Sequence, residues 1–131
     1  MKDKGSGSQK TKMLTDVELE LMTILWRIGE GSVASVIAEL PEGRDLAYTS
    51  VSTILRILEQ KKILITRKEG RSHIYIPLLS KTDYEAKTVR HVVENVFEGA
   101  PVTLIRTLLN NVNLKDEELE ELRQIINKNR K

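Results

Sequence analysis

Residues 46–76 constrain this chain most tightly, because an amphipathic helical stretch runs at once into two short β-prone runs around a glycine turn. At 100° per residue Val51, Ile54, Leu55 and Leu58 fall on one stripe, while Thr49, Thr53, Arg56 and Gln60 lie near its antipode. Burying the stripe turns hydroxyls, an amide and a guanidinium outward, and these side-chain types read base edges or hold phosphates. Downstream, Ile63–Lys68 and His73–Leu78 flank Glu69-Gly70-Arg71-Ser72, with Ile74, Ile76 and Leu78 alternating, which predicts a hairpin. Gly70 supplies a turn residue free of a Cβ penalty, and Pro77, lacking a ladder donor, belongs near its strand end. Arg67, Lys68, Arg71, Ser72 and His73 gather near the tip, where a wing would meet a sugar-phosphate backbone. The pattern is that of a probe and a wing suited to DNA.

The residues before this device supply its support. Thr15 and Glu18 have the spacing of a capping box, Leu14 can staple to Leu19, and a first helix is expected to run to about Ile28, ended by Gly29 and Gly31. Leu21, Met22, Leu25 and Trp26 supply its buried stripe, where Trp26 reads as a core anchor rather than a base-stacking platform. Ser32 caps a second short helix, with Val33, Val36, Ile37 and Leu40, that stops before Pro41. The third helix is expected from about Leu46 to Lys61 or Lys62. The order of helix, short helix, turn and polar-faced helix is helix-turn-helix grammar.

After Lys81 the character becomes helical without strands, over about 83–97, 101–109 and 115–129. Val89, Val92, Val93, Val96 and Phe97 form one strip, Leu104, Ile105, Leu108 and Leu109 a second, and Leu119, Leu122, Ile125 and Ile126 a third. Three short amphipathic helices bury little apolar surface alone, so a partner is expected, most simply another copy of the chain. The alternative is that the strip packs back on the first domain. The acidic run Asp116-Glu117-Glu118 with Glu120 and Glu121 fits the first turns of a helix, where negative charge opposes the backbone dipole favourably.

Charge is separated along the chain. Residues 14–43 hold one basic and six acidic side chains, whereas residues 44–75 hold seven basic and three acidic ones, although the whole chain carries only +2. The basic excess coincides with the probe and the wing and favours polyanions. With no cysteine and two histidines, His73 and His91, no disulfide, metal or other cofactor is expected. No apolar run is long enough to span a membrane and the amino terminus lacks the apolar segment of a signal peptide, so the cytoplasm is the expected compartment.

The motifs Leu14-Thr15-Asp16-Val17-Glu18 with Met22, Leu25 and Trp26, then Ala47 through Arg56, then Glu69-Gly70-Arg71, have a familiar order and spacing. The chain resembles the penicillinase-repressor family (BlaI/MecI/CopY type), and the likeness extends through Phe97-Glu98-Gly99-Ala100-Pro101 and Leu119-Glu120-Glu121-Leu122, covering roughly residues 13–127. The resemblance implies a homodimeric winged-helix repressor on short palindromic operators, with the third helix in the major groove and the wing on the backbone. By position, Thr49, Ser50, Thr53 and Arg56 resemble the recognition-helix contacts, and Arg67, Lys68, Arg71 and Tyr75 belong to the wing. Leu46 stands where members often have tryptophan, and Lys62 where a glycine commonly closes the helix. The carboxy-terminal cysteine cluster of copper-responsive members is missing, which excludes copper sensing by that route. Antibiotic-responsive members are cut at an Asn-Phe bond by a protease, and the corresponding position here is Thr107-Leu108.

The expected fold is therefore mainly α with a small β-hairpin wing: a mobile basic tail over 1–12, a winged helix-turn-helix domain over 13–80 and a helical dimerisation region over 81–131. The expected partners are double-stranded operator DNA, a second copy of the chain and, from the resemblance, a membrane sensor-protease. DNA-binding candidates are Tyr48, Thr49, Ser50, Thr53, Arg56, Gln60, Arg67, Lys68, Arg71, Ser72 and Tyr75; dimerisation candidates are Val92, Val93, Val96, Phe97, Leu104, Ile105, Leu108, Leu109, Leu119, Leu122 and Ile126. One alternative keeps the winged helix as a protein-interaction module without DNA binding, which would favour an acidic or apolar outer face on the third helix. An enzyme is not expected, since neither histidine sits near a nucleophile elbow or a phosphate-cradling glycine loop.

Overall fold

Helix α1 (Asp16–Ile28) starts where its capping residues dictate: Thr15 Oγ1 accepts from the Glu18 amide at 3.1 Å, and Glu18 Oε1 accepts from the Thr15 amide at 2.9 Å. It is the first element of a computed structural model that describes residues 13–130, so the tail expected over 1–12 lies outside the described residues. Leu21, Met22, Ile24 and Leu25 are buried along its inner side. Trp26 is half-buried, donates from Nε1 to the Leu79 carbonyl at 2.9 Å and packs its ring 5.8 Å from that of Tyr84.

Ser32 caps α2 (Val33–Ala38) by accepting from the Ser35 amide, and Val33 and Val36 turn into the core. Helix α3 (Tyr48–Gln60) begins two residues later than expected, because its N-cap residue Ala47 has no side-chain acceptor and Leu46 packs against the core ahead of the helix. Its carboxy terminus is a Schellman turn, with the Lys62 amide donating to Glu59 O at 2.9 Å and the Ile63 amide to Leu58 O at 3.0 Å. Lys62 itself takes φ +65°, the left-handed conformation that glycine adopts without strain. Lys62 thus holds a conformation that glycine commonly supplies at this position of a helix end.

Strands β1 (Leu64–Glu69) and β2 (Ser72–Pro77) pair antiparallel from Leu64↔Pro77 to Glu69↔Ser72, leaving Gly70-Arg71 as a two-residue turn. Gly70 has φ +63° at the first turn position. The sheet has one further partner that periodicity could not reveal. Gly31, expected only to end α1, exchanges two backbone hydrogen bonds with Tyr75, at 3.1 and 2.8 Å. A Cβ at residue 31 would stand 3.0 Å from Ile28 Cδ1 and from Ser35 Cβ, so a side chain there would crowd both α1 and α2.

Helices α4 (Lys81–Asn95), α5 (Pro101–Asn111) and α6 (Asp116–Lys128) complete the chain. The chain divides into two compact units inside α4, between Val89 and Arg90. Tyr84 explains why, since it is buried beside Trp26 and its hydroxyl accepts from the Leu14 amide at 3.2 Å. In the second unit, α5 and α6 bury no residue. Val96 is 65% exposed, Leu108 45%, Leu119 45% and Ile126 51%.

One ion pair joins the start of α1 to the end of α3. Glu18, 6% exposed, accepts from Lys61 Nζ at 2.8 Å through Oε2. Burial pushes the Glu18 carboxyl up, but the bonds from Lys61 and Thr15 outweigh it and hold the group below its ordinary value of 4.5. Its stabilisation is thus fully present above that pH and is lost as pH falls through the lower folded value. Thermal melts of Glu18→Gln should lie below wild type at neutral pH, and the gap should narrow on acidification below 4.5 and close as pH falls through the lower folded value; a gap independent of pH would contradict the ion pair. Lys62→Gly should raise stability by about 1 kcal/mol by relieving the left-handed backbone, seen as a higher urea midpoint with unchanged slope.

Candidate nucleic-acid interface

The outer face of α3 follows from what its inner face buries. Val51, Leu55 and Leu58 are fully buried and Ile54 packs partly buried against the same core. Tyr48, Thr49, Ser50, Thr53, Arg56 and Gln60 are all exposed, so every helix candidate reaches solvent. Ile57, which was not among the candidates, is 38% exposed between Thr53 and Gln60 and adds an apolar spot of the kind that meets a thymine methyl. Its position on the helical wheel could have found it, had apolar side chains not been assigned to the core by default.

Three polar ties hold this helix and the turn before it. Glu18 takes Lys61 at its carboxy-terminal end, Glu59 accepts from Thr66 Oγ1 of β1 at 2.9 Å, and Arg44 donates twice to Glu20 of α1 at 2.8 and 2.9 Å. The Arg44 guanidinium lowers the Glu20 carboxyl, and Glu20 in turn raises Arg44. A reading helix must be held in register to discriminate bases, and these ties fix it from two sides.

The hairpin register sorts the wing residues between two faces. Leu64 with Pro77, Thr66 with Tyr75 and Lys68 with His73 share one face, which Leu64 at 1% and Tyr75 at 5% exposure mark as the inner one. Toward the tip that face emerges with Lys68 and His73 exposed, and Arg71 projects from the turn. Ile65 with Ile76, Arg67 with Ile74 and Glu69 with Ser72 lie on the other face.

Two wing candidates have surroundings that set them apart from the others. Tyr75 is a core residue, because pairing with Gly31 and Thr66 turns its ring inward; burial pushes its phenol up, and Glu59 adds to that while Arg56 opposes it. Arg67 is exposed but engaged, with Nη2 2.7 Å from Glu30 Oε2 and 3.3 Å from Glu69 Oε2, and these bonds hold it more firmly protonated. Ser72 remains exposed but shares the face of Arg67 rather than that of Lys68.

Pairing also refines the charge asymmetry. Arg44, Lys61 and Arg67 are matched by Glu20, Glu18 and Glu30 of the acidic segment. Within residues 44–75, Arg56, Lys62, Lys68 and Arg71 meet no carboxylate of the described residues within 4.0 Å, so the unmatched positive charge of this segment lies on α3, its end and the wing. No group of three His, Asp or Glu suited to a metal ion occurs among the described residues, and no helix among them is long and apolar enough to cross a membrane.

The solution structure of the DNA-binding domain of the repressor BlaI is similar to this chain at 32% identity, covering 55% of this chain and 88% of that one with a TM-score of 0.49. The methicillin resistance regulatory protein MecI of Mammaliicoccus sciuri is 28% identical over 91% of this chain and 97% of its own length. The penicillinase repressor of Bacillus licheniformis is 30% identical over 94% and 98%. Two of these relatives are named as repressors and the third as a regulatory protein. The family model described as penicillinase repressor matches residues 14–128, both compact units included, and the chain belongs to the penicillinase-repressor family.

Proposed function

We propose that this chain is a transcriptional repressor that binds a palindromic operator as a homodimer, inserting α3 into the major groove and laying the wing tip on the backbone. The observation that carries the proposal is the exposed face of Thr49, Ser50, Thr53, Arg56 and Gln60 on a helix whose opposite side buries Val51, Leu55 and Leu58. An acidic or wholly apolar face would have favoured a protein-interaction module instead. Arg71, Lys68 and His73 supply phosphate contacts at the tip, and Tyr48 stands exposed at the start of α3. A solution structure of Bacillus licheniformis BlaI is described as its monomeric form in complex with the blaP half-operator, and a dimer of this chain would pair two such half-sites.

Support for the dimer comes from the second unit taken by itself. Its apolar candidates, among them Val92, Val93, Val96, Phe97, Leu104, Ile105, Leu108, Leu109, Leu119, Leu122 and Ile126, are half-buried or exposed. Helices this short are marginal alone, and a second copy covers both sets of apolar strips by one two-fold contact. Release by a membrane sensor-protease has less support: at the position of the bond cut in other members the chain carries Thr107-Leu108, inside α5.

Two measurements test the reading. Arg56→Ala should cost about 1–3 kcal/mol on the preferred inverted repeat and relax base preference there, whereas Arg71→Ala should weaken specific and random duplex alike and reduce the salt slope by about 1. Wild-type protein that shifts no duplex at low salt would overturn the DNA reading. Sedimentation equilibrium should give a dimer that Leu108→Glu drives to monomer; a monomeric wild type at micromolar concentration would overturn the dimer.

A further inference from the structure

Arg67 is the wing cation that does not behave like its neighbours. Lys68, one residue on, faces the side of the hairpin that carries Tyr75 and the Thr66 bond to α3, while alternation puts Arg67 on the opposite side. There its guanidinium meets Glu30 in the α1–α2 loop through two parallel bonds, Nη1 to Oε1 at 3.3 Å and Nη2 to Oε2 at 2.7 Å, and also reaches Glu69 at 3.3 Å. A phosphate drawing Arg67 away would uncover two carboxylates beside its own negative charge. Adjacent to Glu30, Gly31 makes the double backbone bond to Tyr75. Residues 30 and 31 therefore grip the hairpin twice, once on each strand. The side-chain bonds to β1 add a second hold beside the backbone bridge, the Thr66 bond to Glu59 and the buried Leu64 and Tyr75. The loop is closely packed at this point, since a Cβ on Gly31 would stand 3.0 Å from Ile28 Cδ1 and from Ser35 Cβ.

We propose that Arg67 is a positioning residue: with Glu30 it clamps β1 to the α1–α2 loop and sets the angle of the wing, leaving phosphate contact to Lys68, His73 and Arg71. The consequence for operator affinity rests on the DNA-binding reading above; the clamp itself does not.

Amide hydrogen exchange on the full chain without DNA tests the clamp. Arg67→Gln and Glu30→Ala should each speed exchange of the Gly31 and Tyr75 amides about threefold or more, leave Leu25 in α1 unchanged, and add nothing to each other in the double variant. Duplex binding across a salt series tests the consequence: both variants should weaken affinity by about threefold to fivefold, with the slope of wild type. A phosphate ligand would behave in the opposite way, Arg67→Gln lowering the slope by about 1 and Glu30→Ala tightening binding by removing a repulsive charge. That pattern, or unchanged exchange at Gly31 and Tyr75 in both single variants, overturns the proposal. Wild-type protein that binds no duplex would overturn the DNA reading and the affinity consequence together, while the exchange measurement would still decide the clamp.

Discussion

Burial of the Val51–Leu55–Leu58 stripe against α1 and α2 is the constraint on which the rest of the first unit depends. Each of these side chains contributes roughly 2 kcal/mol by leaving water, a large share of the net stability of a domain this small. The stripe also sets the rotation of α3 about its own axis. Turning the helix by one residue would exchange Leu55 for Arg56, burying a guanidinium and exposing a leucine, so the same term that stabilises the fold fixes which side chains face outward.

Rotation is not position, and a second set of interactions supplies position. Lys61 to Glu18, Thr66 to Glu59 and Arg44 to Glu20 tie the helix end, the wing base and the preceding turn to their surroundings. Such polar ties contribute little to stability one by one, but Lys61 to Glu18 and Arg44 to Glu20 join residues 43 and 24 positions apart and so restrict relative motion. The acidic segment at residues 14–43 thus has a definite task. Three of its carboxylates neutralise the basic residues that face inward or sideways, and the unmatched cations are left where a polyanion would approach.

Legibility in the sequence tracked the range of the interaction. The starts of α1 and α2 were legible because Thr15 and Ser32 are bound within three residues of themselves. The start of α3 was less so, since Ala47 offers no cap and the helix is held by packing instead. Arg56 and Gln60 were correctly turned outward by helical period alone, whereas Ile57 was passed over because an apolar residue reads as core wherever it falls. The surroundings of Tyr75 and Arg67 were not legible for a different reason. Strand alternation says that they lie on opposite faces, but which face is inner was settled by Gly31 and Glu30 in a distant loop.

The sequence by itself determined the helices, the hairpin turn at Gly70, the polar face of α3 and the membership of the chain in its family, because periodicity, capping and turn chemistry act between residues a few positions apart. Only the tertiary structure decided that Tyr75 is core, that Arg67 is held by Glu30, and that Lys62 closes α3 in a glycine-like conformation. Those outcomes depend on which distant atoms come within hydrogen-bonding or van der Waals reach, and no local pattern of residues encodes that distance.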